Sequence, residues 1–184
     1  MRIFLIGIVV LGLGGCRGDV FVENVSRGND VSTLNAILDA KDISDPAALP
    51  TVGGANYVGY SRIKFPIAGE MTVHTGDLEM AVTFAPSDTV ISGTMGNFES
   101  LSGTLVLGNG ILLRHSDVEY DYTLIGEVNG NLATGDADFN FHGEFGADFL
   151  GTGQDGLQGM FHGTALGPDG AVLFQGDLGG LRSH

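Results

Sequence analysis

The chain has 184 residues, 31 of them glycine, which is more than twice the usual ~7% share. Glycine without a three-residue period and beside only 5 prolines excludes collagen, and 43% hydrophobic residues exclude a chain disordered throughout. With 8 basic residues against 22 acidic ones, a formal charge of −14, the chain lacks the clustered Lys and Arg of a nucleic-acid binder, and its single cysteine excludes a disulfide framework and any multi-cysteine metal site.

The first predicted element is a leader. Arg2 precedes an apolar run from Ile3 to Leu13, and small residues follow up to Cys16. That run is shorter than the ~20 apolar residues a spanning helix needs, and its flanks fit a secretory signal peptide. Its last four residues, Leu13-Gly14-Gly15-Cys16, resemble a bacterial lipobox, the alternative being an ordinary leader with a cysteine near the cut. The resemblance implies that residues 1–15 are removed and that Cys16 is acylated as the first mature residue. Several acyl chains on one residue meet the requirement for stable membrane anchoring. Removal takes Arg2 and no acid, so the −14 of the whole chain becomes −15. Lipoproteins of this kind with Asp after the cysteine stay at the inner membrane, so Arg17 implies outer-membrane sorting, with its surface and periplasmic faces both open. The triplet Arg17-Gly18-Asp19 reads as tether chemistry rather than an integrin ligand.

Residues 16–49 form the next unit, a tether almost free of glycine. Val31, Leu34, Ile37 and Leu38 follow helical spacing, which predicts a short helix near 31–41 capped by Asp30 or Ser32. A helix of about 10 residues is marginal alone, so it docks on the body or frays. The boundary lies in the stretch Pro46–Pro50, after which the glycines and aromatics concentrate.

From residue 50 to 184 the period changes from 3.6 to 2. Ala137, Phe139 and Phe141 share one face, and Asp138, Asn140 and His142 the other. Val118, Tyr120, Tyr122 and Leu124 oppose Asp117, Glu119, Asp121 and Thr123 in the same way. Further β-rich runs lie near 56–63, 70–75, 78–85, 89–95, 102–107, 110–114, 144–150, 157–165 and 171–178. Turns are expected at Pro86-Ser87-Asp88, Gly108-Asn109-Gly110, Asn129-Gly130-Asn131, Gly143 and Gly167-Pro168-Asp169-Gly170. Many short strands with hairpin turns predict an all-β fold. Glycine inside strands marks bends and close backbone approach, which favours a closed antiparallel up-and-down barrel of about eight strands over a sandwich. Phe139, Phe141, Phe145, Phe149, Phe161 and Phe174 are expected to share its core.

Two stretches of this body resemble the β-barrel domain of transferrin-binding protein B and related surface lipoproteins. The opening, LPTVGGANYVGY, pairs a small-residue run with an aromatic-x-Gly strand. The end, GEFGADFLGTGQDGLQGMFHGTALGPDGAVLFQGDLGG, carries Gly-x-Phe-Gly, Gly-Leu-x-Gly-x-Phe-x-Gly and Phe-x-Gly strands in succession. The resemblance implies an eight-stranded barrel, with these as closing strands, on a lipidated tether. The family's full receptors have two lobes, each with a barrel and a handle domain; this chain has room for one barrel and no handle. No residue here matches the family's transferrin-contacting loops, so transferrin is not implied.

Candidate chemistry is sparse. Gly151-Thr-Gly153-Gln-Asp-Gly156 satisfies G-x-G-x-x-G, and Asp177 follows at a suitable distance. The fingerprint needs a helix to hold pyrophosphate, whereas LQGMFHGTA follows and alternates, so the segment is expected to be a hairpin turn. It is also similar to calcium-binding glycine-aspartate nonapeptides, but those act as tandem arrays. His115, Asp117, Glu119 and Asp121 line one strand face at about 6.6 Å per pair of residues, which reads as a solvated acidic stripe. His74, His142, His162 and His184 lack paired ligand spacing, and no G-x-S-x-G or H-E-x-x-H occurs. The expectation is therefore no enzyme, no cofactor and no metal site, with lipid attachment at Cys16 as the one assigned site. The expected function is a non-enzymatic binding or surface-display module, anchored to the outer membrane, with a protein partner. The alternative is a lipocalin-like carrier holding a small molecule in the barrel.

Overall fold

A computed structural model describes residues 27–85, 90–114, 122–135 and 137–183, with the backbone alone at 27–29. Helix α1, Arg27–Asp39, leads through a single 3-10 turn at Pro46–Ala48 into eight strands. These are β1 Gly54–Ile67, β2 Glu70–Thr83, β3 Val90–Gly96, β4 Ser102–Leu112, β5 Leu124–Thr134, β6 Ala137–Leu150, β7 Gly156–Gly167 and β8 Gly170–Ser183. Every strand pairs antiparallel with the next, and β8 pairs back onto β1 to close the barrel. The fold is the all-β, up-and-down, eight-stranded barrel expected, with one short helix ahead of it. Among the described residues no helix is long and apolar enough to cross a membrane.

Alternation builds the core. Along β6 the odd positions Phe139, Phe141, Phe145, Ala147 and Phe149 point inward and are buried, and Asp138, Asn140, His142 and Glu144 are exposed. Gly143 is not a turn but an inward position of the same strand, so the parity runs through it unbroken. All six phenylalanines expected to share a core do so. Their rings meet across the lumen: Phe65 packs edge-on against Phe139 and Phe141 at 5.2 Å each, and Phe141 meets Phe174 at 5.0 Å. Nearer the other end Phe149 contacts Tyr57 at 5.9 Å and Phe84 at 5.6 Å. Leu49 closes that end, held by Arg114, whose Nη1 donates to the Leu49 carbonyl at 2.6 Å and whose Nη2 donates to that of Pro50. At the opposite end His74 is buried, with Nδ1 2.8 Å from the Glu99 carbonyl and Nε2 3.0 Å from Thr72 Oγ1.

Several turn assignments are corrected. Gly167-Pro168-Asp169-Gly170 is the β7–β8 turn, as expected. Gly108-Asn109-Gly110 is instead a bulge within β4, where the register to β5 shifts between Gly108 and Ile111. Asn129-Gly130-Asn131 lies in the middle of β5, a strand the alternation did not reveal. There Gly130 takes φ +154°, and a Cβ on it would collide with the Thr104 carbonyl oxygen of β4. Glycine thus serves strand-to-strand approach, and the asparagines face outward into a polar ladder. Asn140 Nδ2 donates to Asn131 Oδ1 at 2.8 Å, and His142 Nδ1 lies 2.6 Å from Asn129 Oδ1. The runs 70–75 and 78–85 likewise merge into β2, 102–107 and 110–114 into β4, and 137–142 and 144–150 into β6.

The predicted helix exists, but it starts at Arg27 rather than near 31. Asp30 and Ser32 therefore lie inside it and cap nothing; Asp30 sits in the first turn, where a negative charge suits the macrodipole. Of the four apolar positions, Val31 and Leu38 are buried and Ile37 is 43% exposed.

Candidate functional site

The site forms where the tether meets the outer wall of the barrel. Helix α1 lies against β7 and β8, and Leu38 is its fully buried anchor. Two outward-facing strand positions, Gly156 on β7 and Gly179 on β8, leave room for it: a Cβ at either would lie 2.8 Å from a Leu38 methyl carbon. Beyond the helix the chain meets β6 at a single isolated bridge. Ile43 bridges Leu150, the Ser44 N–H donates to the Phe149 carbonyl at 2.8 Å, and the Gly151 N–H donates to that of Asp42 at 2.8 Å.

This strap leaves a cleft of about 510 Å³ between α1 and the wall. The helix contributes Asn35 and Asp39, and β1 contributes Tyr60 and Arg62. Asp148 and Leu150 come from β6, Gln158 and Met160 from β7, and Asp177 from β8, with Tyr122 and Ile43 at the edges. Tyr60 points outward by strand parity yet is buried, because α1 covers it. Its hydroxyl donates to Asn35 Oδ1, fastening helix to wall, and Gln158 Nε2 donates to Asp39 Oδ1 at 3.2 Å. Tyr122 lies over Gly146, where a Cβ would collide with its ring.

The electrostatics are asymmetric. Arg62 makes a two-pronged ion pair with Asp177, Nε 3.0 Å from both oxygens and Nη2 2.7 Å from Oδ2, with its guanidinium 5.7 Å from the Tyr60 ring centroid. The hydrogen bond to Asp177 pushes the Arg62 pKa up, so the charge stays on. Burial first, and then the Asp177 charge, push the Tyr60 phenol well above its ordinary value, so its proton is retained. Asp148 accepts from the Thr123 N–H at 2.9 Å and from Thr123 Oγ1 at 3.1 Å. Among the described residues no cation lies in ion-pair range of Asp39 or Asp148. Among the described residues the cleft thus holds two carboxylates without a cationic partner, beside aromatic and apolar walls.

Of the residues singled out in the sequence, Tyr122 and Asp177 line the cleft. Cys16, His115, Asp117, Glu119, Asp121 and His184 lie outside the described residues. Residues 151–154 form the β6–β7 turn, with strand β7 following directly instead of a helix. His142 and His162 face outward and His74 is enclosed at the barrel end. Among the described residues no three His, Cys, Asp or Glu side chains are grouped to hold a metal ion. The cleft itself went unread, because its walls come from five elements far apart in sequence. The legible clue was the helical spacing of Val31 and Leu38, which announced a docking face.

No protein-family profile matches the chain, and no curated protein does. Among solved structures it is similar to a vaccine-antigen variant of Transferrin Binding Protein B from Haemophilus parasuis Hp5, with a TM-score of 0.49 and 17% identity. The alignment covers 77% of this chain and 28% of that one, so the chain spans little more than a quarter of that protein's length. At that level the likeness assigns no residue a role.

Proposed function

We propose that this protein is a lipid-anchored module of the outer membrane that binds a protein partner with the outside of its barrel. One observation carries the reading: the lumen is filled by the protein's own side chains while a cleft opens on the outer wall beside the tether. Phe65, Phe141, Phe149 and Phe161 are fully buried within the barrel. A lipocalin-like carrier keeps that space for its cargo. A membrane-spanning barrel places an apolar band outside and polar residues inside. Here the lumen is apolar, and Lys64, Glu79, Asp138 and Glu144 stand exposed on the outer face among apolar residues such as Val58, Val73 and Val106. The anchoring half of the proposal is supported by the leader and by Cys16 at the end of Leu13-Gly14-Gly15-Cys16.

The test is metabolic labelling with a fatty-acid analogue, followed by membrane fractionation. The wild-type chain should incorporate label and sediment with membranes, and Cys16→Ser should lose both properties. A Cys16→Ser chain that is still acylated and membrane-bound would sink the anchor assignment.

A further inference from the structure

We propose that the cleft under α1 binds a basic side chain, lysine or arginine, presented by the protein partner. This deepens the reading above and rests on it for the partner's being a protein. A volume of about 510 Å³ falls within the ~300–1,000 Å³ usual for ligand sites. Its charge selects the ligand. Arg62 is paired with Asp177 through Nε and Nη2, so the two charges cancel and the pair offers an anion no net positive charge. Among the described residues Asp39 and Asp148 accept only neutral hydrogen bonds, from Gln158 and Thr123, and neither negative charge meets a cation. An apolar ligand would strip water from those carboxylates without replacing it, which is costly. A cation would replace it.

The walls specify the rest of the ligand. Lysine and arginine carry a charged head on an apolar stem. Leu150, Met160 and Ile43 offer the stem an apolar surface, and the last two are more than half exposed and therefore reachable. The wall already seats one guanidinium in this manner: Arg62 lies over the Tyr60 ring with its fork on a carboxylate. A partner's arginine on Asp39 or Asp148 repeats that chemistry a few side chains away. The −14 charge of the chain draws such a partner in from a distance.

Fluorescence anisotropy with the full acylated chain in detergent tests this, using an arginine-rich peptide as probe. Asp39→Asn and Asp148→Asn are suitable variants, since asparagine Oδ1 still accepts from Gln158 or Thr123 and folding is kept. Each should weaken binding about tenfold, the scale of one charge-assisted hydrogen bond. The charge-matched pair Glu79→Gln and Asp138→Asn, exposed elsewhere on the barrel, should change affinity far less. Equal losses from both pairs, or no loss from the cleft pair, would overturn the proposal. Spermine supplies the same cationic chemistry without a protein. Tighter binding of spermine than of the peptide would also overturn it, in favour of a free polyamine. The measurement uses purified protein, so it can fail while acylation at Cys16 stands, and the reverse.

Discussion

Phe141 is the residue through which the core is most directly probed. It is buried, and its ring meets those of Phe65 and Phe174. Truncation to alanine should cost about 3–5 kcal/mol, a large part of a domain's usual ~5–15 kcal/mol. Leu173→Ala, on a side chain 77% exposed, should stay within about 0.5 kcal/mol. Urea denaturation of the two variants compares them; similar midpoints would mean that the inward and outward faces are assigned wrongly. Tyr57 and Tyr60 set a pH dependence. Burial is the leading cause of the upward shift at both, opposed at Tyr57 by Arg182 and reinforced at Tyr60 by Asp177. A folded-state pKa above the unfolded one means stability is complete below about pH 10, the ordinary tyrosine value, and is lost as pH rises through the folded value. Thermal midpoints should therefore fall above about pH 10. The double variant Tyr57→Phe with Tyr60→Phe should flatten that fall, and an unchanged slope would place the alkaline sensitivity in other groups.

Helix α1 is an element held from outside, and its stability is local. Leu38 anchors it in the space left by Gly156 and Gly179, and Asn35 and Asp39 tie it to Tyr60 and Gln158. Leu38→Ala removes the anchor without touching the lumen, so the helix can detach while the barrel stays closed. Hydrogen exchange should accelerate over residues 27–39 and leave β6 and β8 protected. If the strands lost protection together with the helix, α1 would be part of the barrel's cooperative unit. Elements were legible where alternation was strong: β6 shows one unbroken parity, and its inward phenylalanines could be named in advance. Legibility failed where glycine did a different job. At Gly130 and at Gly108-Asn109-Gly110 the residues of a hairpin turn serve strand approach and a bulge, a choice that depends on the neighbouring strand. The cleft was hidden for the same reason. Asp148, Gln158 and Asp177 look like ordinary outward strand positions until the barrel closes and the tether folds back over them.

At the scale of the whole molecule, the architecture separates two tasks. Eight strands close on a core of their own phenylalanines, which leaves no free sheet edge at the β1–β8 seam and gives the wall a rigid outer face. Helix α1 forms one side of the cleft, so the proposed anchor at Cys16 and the proposed recognition site would share one segment of chain. The acidic surface adds a salt signature. Association with a basic partner should slow as salt rises, because the Debye length shrinks from ~30 Å at 0.01 M to ~10 Å at 0.1 M. Stopped-flow rates at the two concentrations check this, and a rate indifferent to salt would deny the surface charge any part in recognition.

The residues leave both faces of the outer membrane open; binding a protein partner from the surroundings, as proposed, puts the barrel on the outer face, and lysine chemistry reads that directly. The sequence has two lysines, Lys41 and Lys64; Lys64 is exposed on β1, and Lys41 is partly covered, 3.9 Å from Asp155. Intact cells producing the protein are treated with an amine-reactive biotin that does not cross membranes, and the protein is recovered and mapped by mass spectrometry. Lys64 of the cell-bound wild-type chain should carry biotin, and Cys16→Ser should yield no cell-bound labelled chain. Biotin reaching Lys64 only after the cells are broken open would contradict it, and would place the barrel behind the membrane it is proposed to decorate.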